Sequence, residues 1–297
     1  MLLILGNATI DESMEVEAWP SPGQTVLVGA PRRDLGGKGA NQALVASRAG
    51  MDVRFVAAIG RDGNGDHIAT MLAGVGLDPA DLMRVDADTD RSMIFISREG
   101  ENAIASTTDA ARAIGSRQAD AIAARLGSGD QLLMQGNLSV DATKAALASA
   151  RRAGATTIFN PSPVHAEYAE LLPSIDLLVL NEGEAAAISG RTCHEEAVAA
   201  LREAGARTVV LTLGGKGAMF GSGEGTFHVP ARPVRVVDTT GAGDTFMGVL
   251  VAAMFRDAMS PRAAIEAASA AAAITVQRKG TFTAFPSAAE IGAILRG

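Results

Sequence analysis

Short, continuous apolar runs alternate with helix-like stretches along most of this chain. Leu2–Leu5 is apolar throughout and ends in Gly6 and Asn7, the form of a buried strand. Val53–Ala58, Gln131–Gln135, Thr156–Asn160, Ile175–Leu180 and Val209–Leu213 read the same way. Between and after them come the helix-like stretches Gln42–Ala49, His67–Ala73, Arg117–Leu126, Ala142–Arg152, Gly183–Ile188, Glu195–Ala204, Thr245–Phe255 and Pro261–Val276. Strands separated by helix-length connections predict an α/β fold, a mostly parallel sheet covered by helices on both faces. In such sheets ligands sit beyond the carboxyl ends of the strands.

Some segments break that rhythm. Ser13–Val28 alternates loosely, carries Pro20, Pro22 and Gly23, and includes Trp19, the chain's one tryptophan. Met93–Ser97 and Ala103–Ser106 flank a polar turn, Arg98–Asn102, and read as a hairpin. Both excursions predict a small sheet or flap beside the main one. Ala218–Val229 reads as a further hairpin, turning through Gly221–Gly225, and Val234, Val236 and Val237 read as a strand. Gly60–Gly65 is an ordinary turn. Without repeats or a low-complexity linker, the economical reading is one domain over residues 1–297, with excursions at about 13–28 and 93–106.

Composition narrows the function. With 47% hydrophobic and 20% charged residues over 297 positions, the chain can bury a sizeable core. A net charge of −7 argues against a nucleic-acid partner, which calls for a basic face. One cysteine, Cys193, permits no intrachain disulfide and fits a reducing cytoplasm. The apolar start is too short for a signal segment, and Ala263–Val276, interrupted by Glu266 and Ser269, reads as a buried helix; no membrane partner is expected. Four scattered histidines lack zinc spacing, and neither a Walker sequence nor a G-x-S-x-G elbow occurs. A dinucleotide fingerprint fails because Phe246 stands where its third glycine belongs.

What remains is a set of polar motifs at predicted strand ends. Asp238-Thr239-Thr240-Gly241-Ala242-Gly243-Asp244-Thr245-Phe246 runs into an apolar helix, so its backbone N–H groups favour an anion. Asp244 lies in that first turn, where a carboxylate meets a substrate proton while the amides hold a phosphate. Gly36-Gly37-Lys38-Gly39-Ala40-Asn41 supplies backbone, a cation and an amide before another helix. Asp11 follows the first strand. Asn181 and Glu184, spaced i, i+3, both face one site at the end of another, and Thr212 opens the Gly-rich loop Gly214–Gly217. Singly these have bland readings: Asp11 caps a turn, Asn181 and Glu184 start a helix, Lys38 is solvated. Together on one sheet edge they describe a polar cleft beside a phosphate-binding helix.

These motifs resemble the ribokinase family of sugar kinases, also called the phosphofructokinase-B family, from Leu5-Gly6 through Arg278-Lys279-Gly280. The resemblance implies a Rossmann-like, ribokinase-like domain with a β-sheet lid, formed by the two excursions, that often mediates a homodimer. It implies that Asp11, Gly37, Lys38 and Asn41 bind sugar, with Asp244 as catalytic base on its hydroxyl. Gly241, Ala242 and Gly243 would form an anion hole. Asn181 and Glu184 would hold Mg2+ through water; Thr212, Gly214, Gly243 and Ser269 would contact ATP. Potassium would sit by Asp238, Thr240 and Gly280. The implied reaction is ATP-dependent phosphorylation of a sugar's primary hydroxyl, with ribose giving ribose 5-phosphate. Another pentose, a hexose or a nucleoside is the alternative acceptor, and a catalytically silent sugar or nucleotide sensor is the rival class. The sequence departs from ribose kinases in three places: Gly136-Asn137 replaces a glutamate position, Thr107-Thr108-Asp109-Ala110 replaces Gly-Ala-Asn-Ala, and Ala284 replaces a serine.

Overall fold

The computed structural model describes residues 1–97 and 102–297. Along the chain the strands are β1 (Leu2–Asn7), β2 (Thr9–Glu15), β3 (Arg32–Gly36), β4 (Val53–Gly60), β5 (Leu82–Val85), β6 (Arg91–Ile96) and β7 (Asn102–Ser106). Then follow β8 (Gln131–Gln135), β9 (Thr156–Asn160), β10 (Leu177–Asn181), β11 (Thr208–Thr212), β12 (Ala218–Ser222) and β13 (Gly225–Val229). The larger sheet has nine strands in the order β13-β12-β11-β10-β9-β8-β1-β4-β5, parallel except for the β11-β12-β13 edge.

Both faces of that sheet are covered, and β1 shows why its sequence is apolar throughout. Successive side chains point to opposite faces of a strand. Leu2 and Ile4 accordingly enter one core layer, while Leu3 and Leu5 enter the other. A strand buried on both faces has no polar side to display. On the first face, helix Lys38–Arg48 packs along helix Ala242–Val251. Gly248 lets them meet, since a Cβ there would lie 2.7 Å from Val45 Cβ.

The second sheet has the order β3-β2-β6-β7, with β2 and β6 parallel and the outer pairs antiparallel. It departs from expectation at its first excursion. The strands are Thr9–Glu15 and Arg32–Gly36, whereas most of Ser13–Val28 has no strand. Pro20 and Pro22 have no N–H to give a ladder, which disfavours pairing there. The expected turn at Arg98–Asn102 lies, at residues 98–101, outside the described residues. A further difference falls at Val234, Val236 and Val237, which pair with no strand and are 38%, 58% and 37% exposed. Pro230 and Pro233 remove two ladder donors there, and Val237 N–H instead donates to the Val276 carbonyl. The helix expected over Thr245–Phe255 changes to a π-helical turn at Ala252–Arg256. Short β5 and the C-terminal helix Ala288–Arg296 had no counterpart in the sequence reading.

Candidate active site

Two glycine-rich turns bring distant parts of the chain together. At Gly37 the backbone takes φ 92°, and a Cβ would lie 2.9 Å from the Asn7 carbonyl oxygen. Gly39 is equally confined, 2.7 Å from Asn7 backbone atoms, and its N–H donates to Asn7 Oδ1 at 3.2 Å. Only glycine allows helix Lys38–Arg48 to start this close to the end of β1. Gly241, at φ 76°, likewise precedes helix Ala242–Val251 in the left-handed region.

Asp244 occupies the first turn of that second helix and is 5% exposed. Asn41 Nδ2 donates to its Oδ2 at 2.9 Å, and Gln42 Nε2 donates to its Oδ1 at 2.9 Å. Lys38 Nζ stands 3.9 Å from the same Oδ1. A buried carboxylate is tolerated when hydrogen bonds and a cation replace its water. Asn41 retains an unpartnered acceptor, since its buried Oδ1 has no hydrogen-bond donor among the described residues.

Asp11 is also buried, with Thr9 Oγ1 donating to it at 2.7 Å. Burial pushes its pKa up to about 6; the Thr9 and Ser92 hydroxyls oppose this, and the Asp34 and Asp244 charges reinforce it. Gly36 makes the room, because a Cβ there would strike the Asp11 carboxyl at 2.0 Å. Asp34, across the β2–β3 ladder from Asp11, is raised by burial too. Both acids line a cavity of about 360 Å³ with Asp238, Thr240 and Gly280. There Asp238 Oδ1 accepts Thr240 N–H at 2.9 Å and Oδ2 accepts Gly280 N–H at 3.1 Å. Asp238 thus ties the turn before Gly241 to the loop after Arg278.

A more apolar cavity of about 430 Å³ opens on the other side of the Gly241 turn. Thr212, Gly214, Ala242, Gly243 and Ser269 line it with Val234 and Val236, the valines whose sequence suggested a strand. Asn181 lies opposite Thr212 in the β10–β11 register. Here the bland reading of Asn181 and Glu184 is realised. Glu184 N–H donates to Asn181 Oδ1 and Asn181 N–H donates to Glu184 Oε2, each at 2.9 Å, a reciprocal cap on helix Glu182–Ser189.

The structure thus brings Asp11, Lys38, Asn41 and Asp244 to one end of the sheet, with Thr212, Gly214, Gly243 and Ser269 around the adjoining cavity. Sequence reading overlooked Gln42, Gln135 and Asn160. Gln135 Nε2 donates to Gln42 Oε1 at 2.8 Å, and Gln42 Nε2 also approaches Asn160 Oδ1 at 3.3 Å. One signal was present: Gln135 and Asn160 are polar residues ending otherwise buried strands.

A parallel sheet clothed in helices, with a buried carboxylate at a glycine-rich helix N-terminus beside an apolar cavity, is an arrangement suited to phosphoryl transfer to an alcohol. Known proteins agree. The profile of the pfkB family carbohydrate kinases matches residues 1–288. The chain is 31% identical over 302 residues to a ribokinase of Staphylococcus aureus, covering 99% of both chains. It is 30% identical over 293 residues to a bifunctional ribokinase/ribose-5-phosphate isomerase A of Fructilactobacillus sanfranciscensis, of which it spans 54%. The structure of Arabidopsis thaliana ribokinase complexed with ribose and ATP superimposes with a TM-score of 0.88 at 28% identity, covering 100% of this chain and 98% of that one. The chain belongs to the pfkB family and is a carbohydrate kinase.

Proposed function

We propose that this kinase transfers the γ-phosphate of ATP to the primary hydroxyl of ribose, giving ribose 5-phosphate. The observation that carries the chemistry is the buried Asp244 carboxylate, pinned by Asn41 and Gln42 at a helix N-terminus. Phosphoryl transfer depends on in-line positioning and charge neutralisation more than on covalent help. Asp244 takes the proton of the attacking hydroxyl, while the Gly241, Ala242 and Gly243 amides stabilise charge on the transferred group. The unpartnered Asn41 Oδ1 supplies an acceptor for a sugar hydroxyl, and Asp11 and Lys38 complete the sugar side with Gly37. Ribose as acceptor rests on likeness to ribokinases, and a sensor has no need of the Asp244 base. Another pentose, a hexose or a nucleoside is the alternative acceptor, suggested by the departure at Gly136-Asn137.

Thr212, Gly214, Gly243 and Ser269 would receive ATP in the 430 Å³ cavity. Mg2+ would neutralise the phosphates. The residues present fit it through water: Glu184 Oε2 serves the cap, while among the described residues Oε1 has no partner. Asp238, Thr240 and Gly280 are read as a potassium site, and equal turnover in potassium and sodium would reject that. We further read the second sheet as a lid and homodimer contact within a single domain, and the cytoplasm as the protein's compartment.

The test is ADP release over a panel of pentoses, hexoses and nucleosides, run for wild type and Asp244→Asn. Ribose should give the highest kcat/KM, and the variant should lose roughly 10²–10⁴-fold in kcat while still binding sugar. No turnover with any acceptor would restore the sensor reading.

A further inference from the structure

Gln42 is fully buried and touches Asp244, yet it has no place on the sugar or ATP side of the site. We infer that Gln42 is a positioning residue that aims the Asp244 carboxylate, and that Gln135 and Asn160 set its orientation. The inference rests on Asp244 being the base.

Its support is the polarity of an amide chain crossing several elements. An ionised carboxylate only accepts hydrogen bonds, so Gln42 must turn its Nε2 toward Asp244. That places Gln42 Oε1 toward Gln135, which must answer with Nε2. Asn160 presents Oδ1 to Gln42 Nε2 because its own Nδ2 donates to the Val179 carbonyl at 2.9 Å. Every orientation is thereby fixed between two groups that cannot reverse, the Val179 carbonyl and the Asp244 carboxylate. Gln135 and Asn160 end β8 and β9, and Val179 lies in β10, so adjacent strand ends of the main sheet brace one side chain. The pairing runs up to the far end of the chain, where the buried Gln135 Oε1 has no partner among the described residues.

Gln42 differs from the other Asp244 partners. Lys38 and Asn41 are read as sugar contacts, so each divides its side chain between the carboxylate and the substrate. Gln42 is sealed from solvent and keeps its bond through the cycle. It would hold Oδ1 while Oδ2 meets the hydroxyl. Loss of such aim without loss of binding lowers kcat and leaves KM alone.

The experiment measures kcat, both KM values and melting temperature for Gln42→Met, Gln135→Met, their double variant and Asp244→Asn. Gln42→Met should lose about 10–100-fold in kcat, the scale of misplaced reacting groups, with both KM values within about twofold. Gln135→Met should lose less, and the double variant no more than Gln42→Met alone, because one acts through the other. Gln42→Glu, which replaces the donor with a like charge, should fall below Gln42→Met. Wild-type kcat in folded Gln42→Met, or multiplying losses in the double variant, overturns the inference. If Gln42→Met does not fold, Gln135→Met decides: a kcat loss at unchanged KM supports positioning, and wild-type kcat overturns it. Retained turnover in Asp244→Asn would instead refute the base itself, a distinguishable failure.

Discussion

Asp11 combines burial with a negative charge, and its pH behaviour separates the cost of the site from its use. The unfolded chain releases this proton near 3.8, whereas the folded chain keeps it until about 6. A carboxyl whose folded pKa is raised binds more protons in the native state, so stability falls as pH rises from 3.8 to 6 and stays lower above that. The size is about 3 kcal/mol, from roughly two pKa units. Asp11→Asn should therefore raise the melting temperature at pH values above about 6 and lose that advantage below about 4, as scanning calorimetry across pH will show. A variant less stable than wild type at neutral pH would contradict the burial cost. The charged form is the better acceptor for sugar hydroxyls, so wild-type sugar KM should fall as pH rises through about 6. Lys38, Asn41 and Asp244 stood out as candidates because their glycine-rich neighbours mark places where backbone must approach backbone, and Asp11 because it follows the first strand. Gln42 was not, because nothing local distinguishes a glutamine that braces a carboxylate over 200 residues away from one facing solvent.

Two elements carry most of the site's geometry, helices Lys38–Arg48 and Ala242–Val251. Gly248 sets their separation, since a methyl group there would press on Val45 and on Ala46 N at 2.9 Å. Overpacking of this kind typically costs 1–3 kcal/mol. Gly248→Ala should lower the melting temperature and also kcat, because it moves Asp244 away from Asn41 and Gln42. A stability loss with unchanged kcat would show that the helices separate without disturbing the carboxylate. The cap on helix Glu182–Ser189 allows a cleaner division. Glu184→Gln keeps an acceptor for Asn181 N–H and so should hold stability within a few tenths of a kcal/mol. It removes the charge, and a magnesium titration of activity should shift to higher concentration. An unchanged titration would leave Glu184 as a cap and nothing more. Elements buried on both faces were read almost residue for residue, Gln131–Gln135 and Thr156–Asn160 with the observed bounds. The second sheet was read less well because β2 and β3 are largely polar: Thr9, Asp11, Glu12, Arg32 and Asp34 give no continuous apolar run.

Over the whole molecule, the exposed large apolar side chains of the described residues fall mainly into two groups. Val234 and Val236 line the cavity read as the nucleotide site. Trp19, Leu27, Val28, Met93 and Ile104 belong to the second sheet or the connection within it, with Leu27 94% and Ile104 53% exposed. The first group accounts for the misread strand: β-branched residues stand there with no sheet neighbour to pair with, lining an apolar cavity instead. The second group has no cover within the described chain. A small sheet gains little stability alone, and apolar side chains left on it, Met93 on one face and Ile104 on the other, favour mating surfaces. In a homodimer formed through this sheet, Ile104 lies opposite Ile94 across the β6–β7 ladder, and Ile94 in turn lines the cavity that holds Asp11. The contact would therefore stiffen the sugar side of the site as well as join the subunits. Ile104→Lys should shift sedimentation from dimer to monomer and raise sugar KM, while ATP KM and the melting of the main sheet stay near wild type. A wild type that sediments as a monomer at assay concentration would end the dimer reading, and an unchanged sugar KM in a monomeric variant would detach assembly from sugar binding.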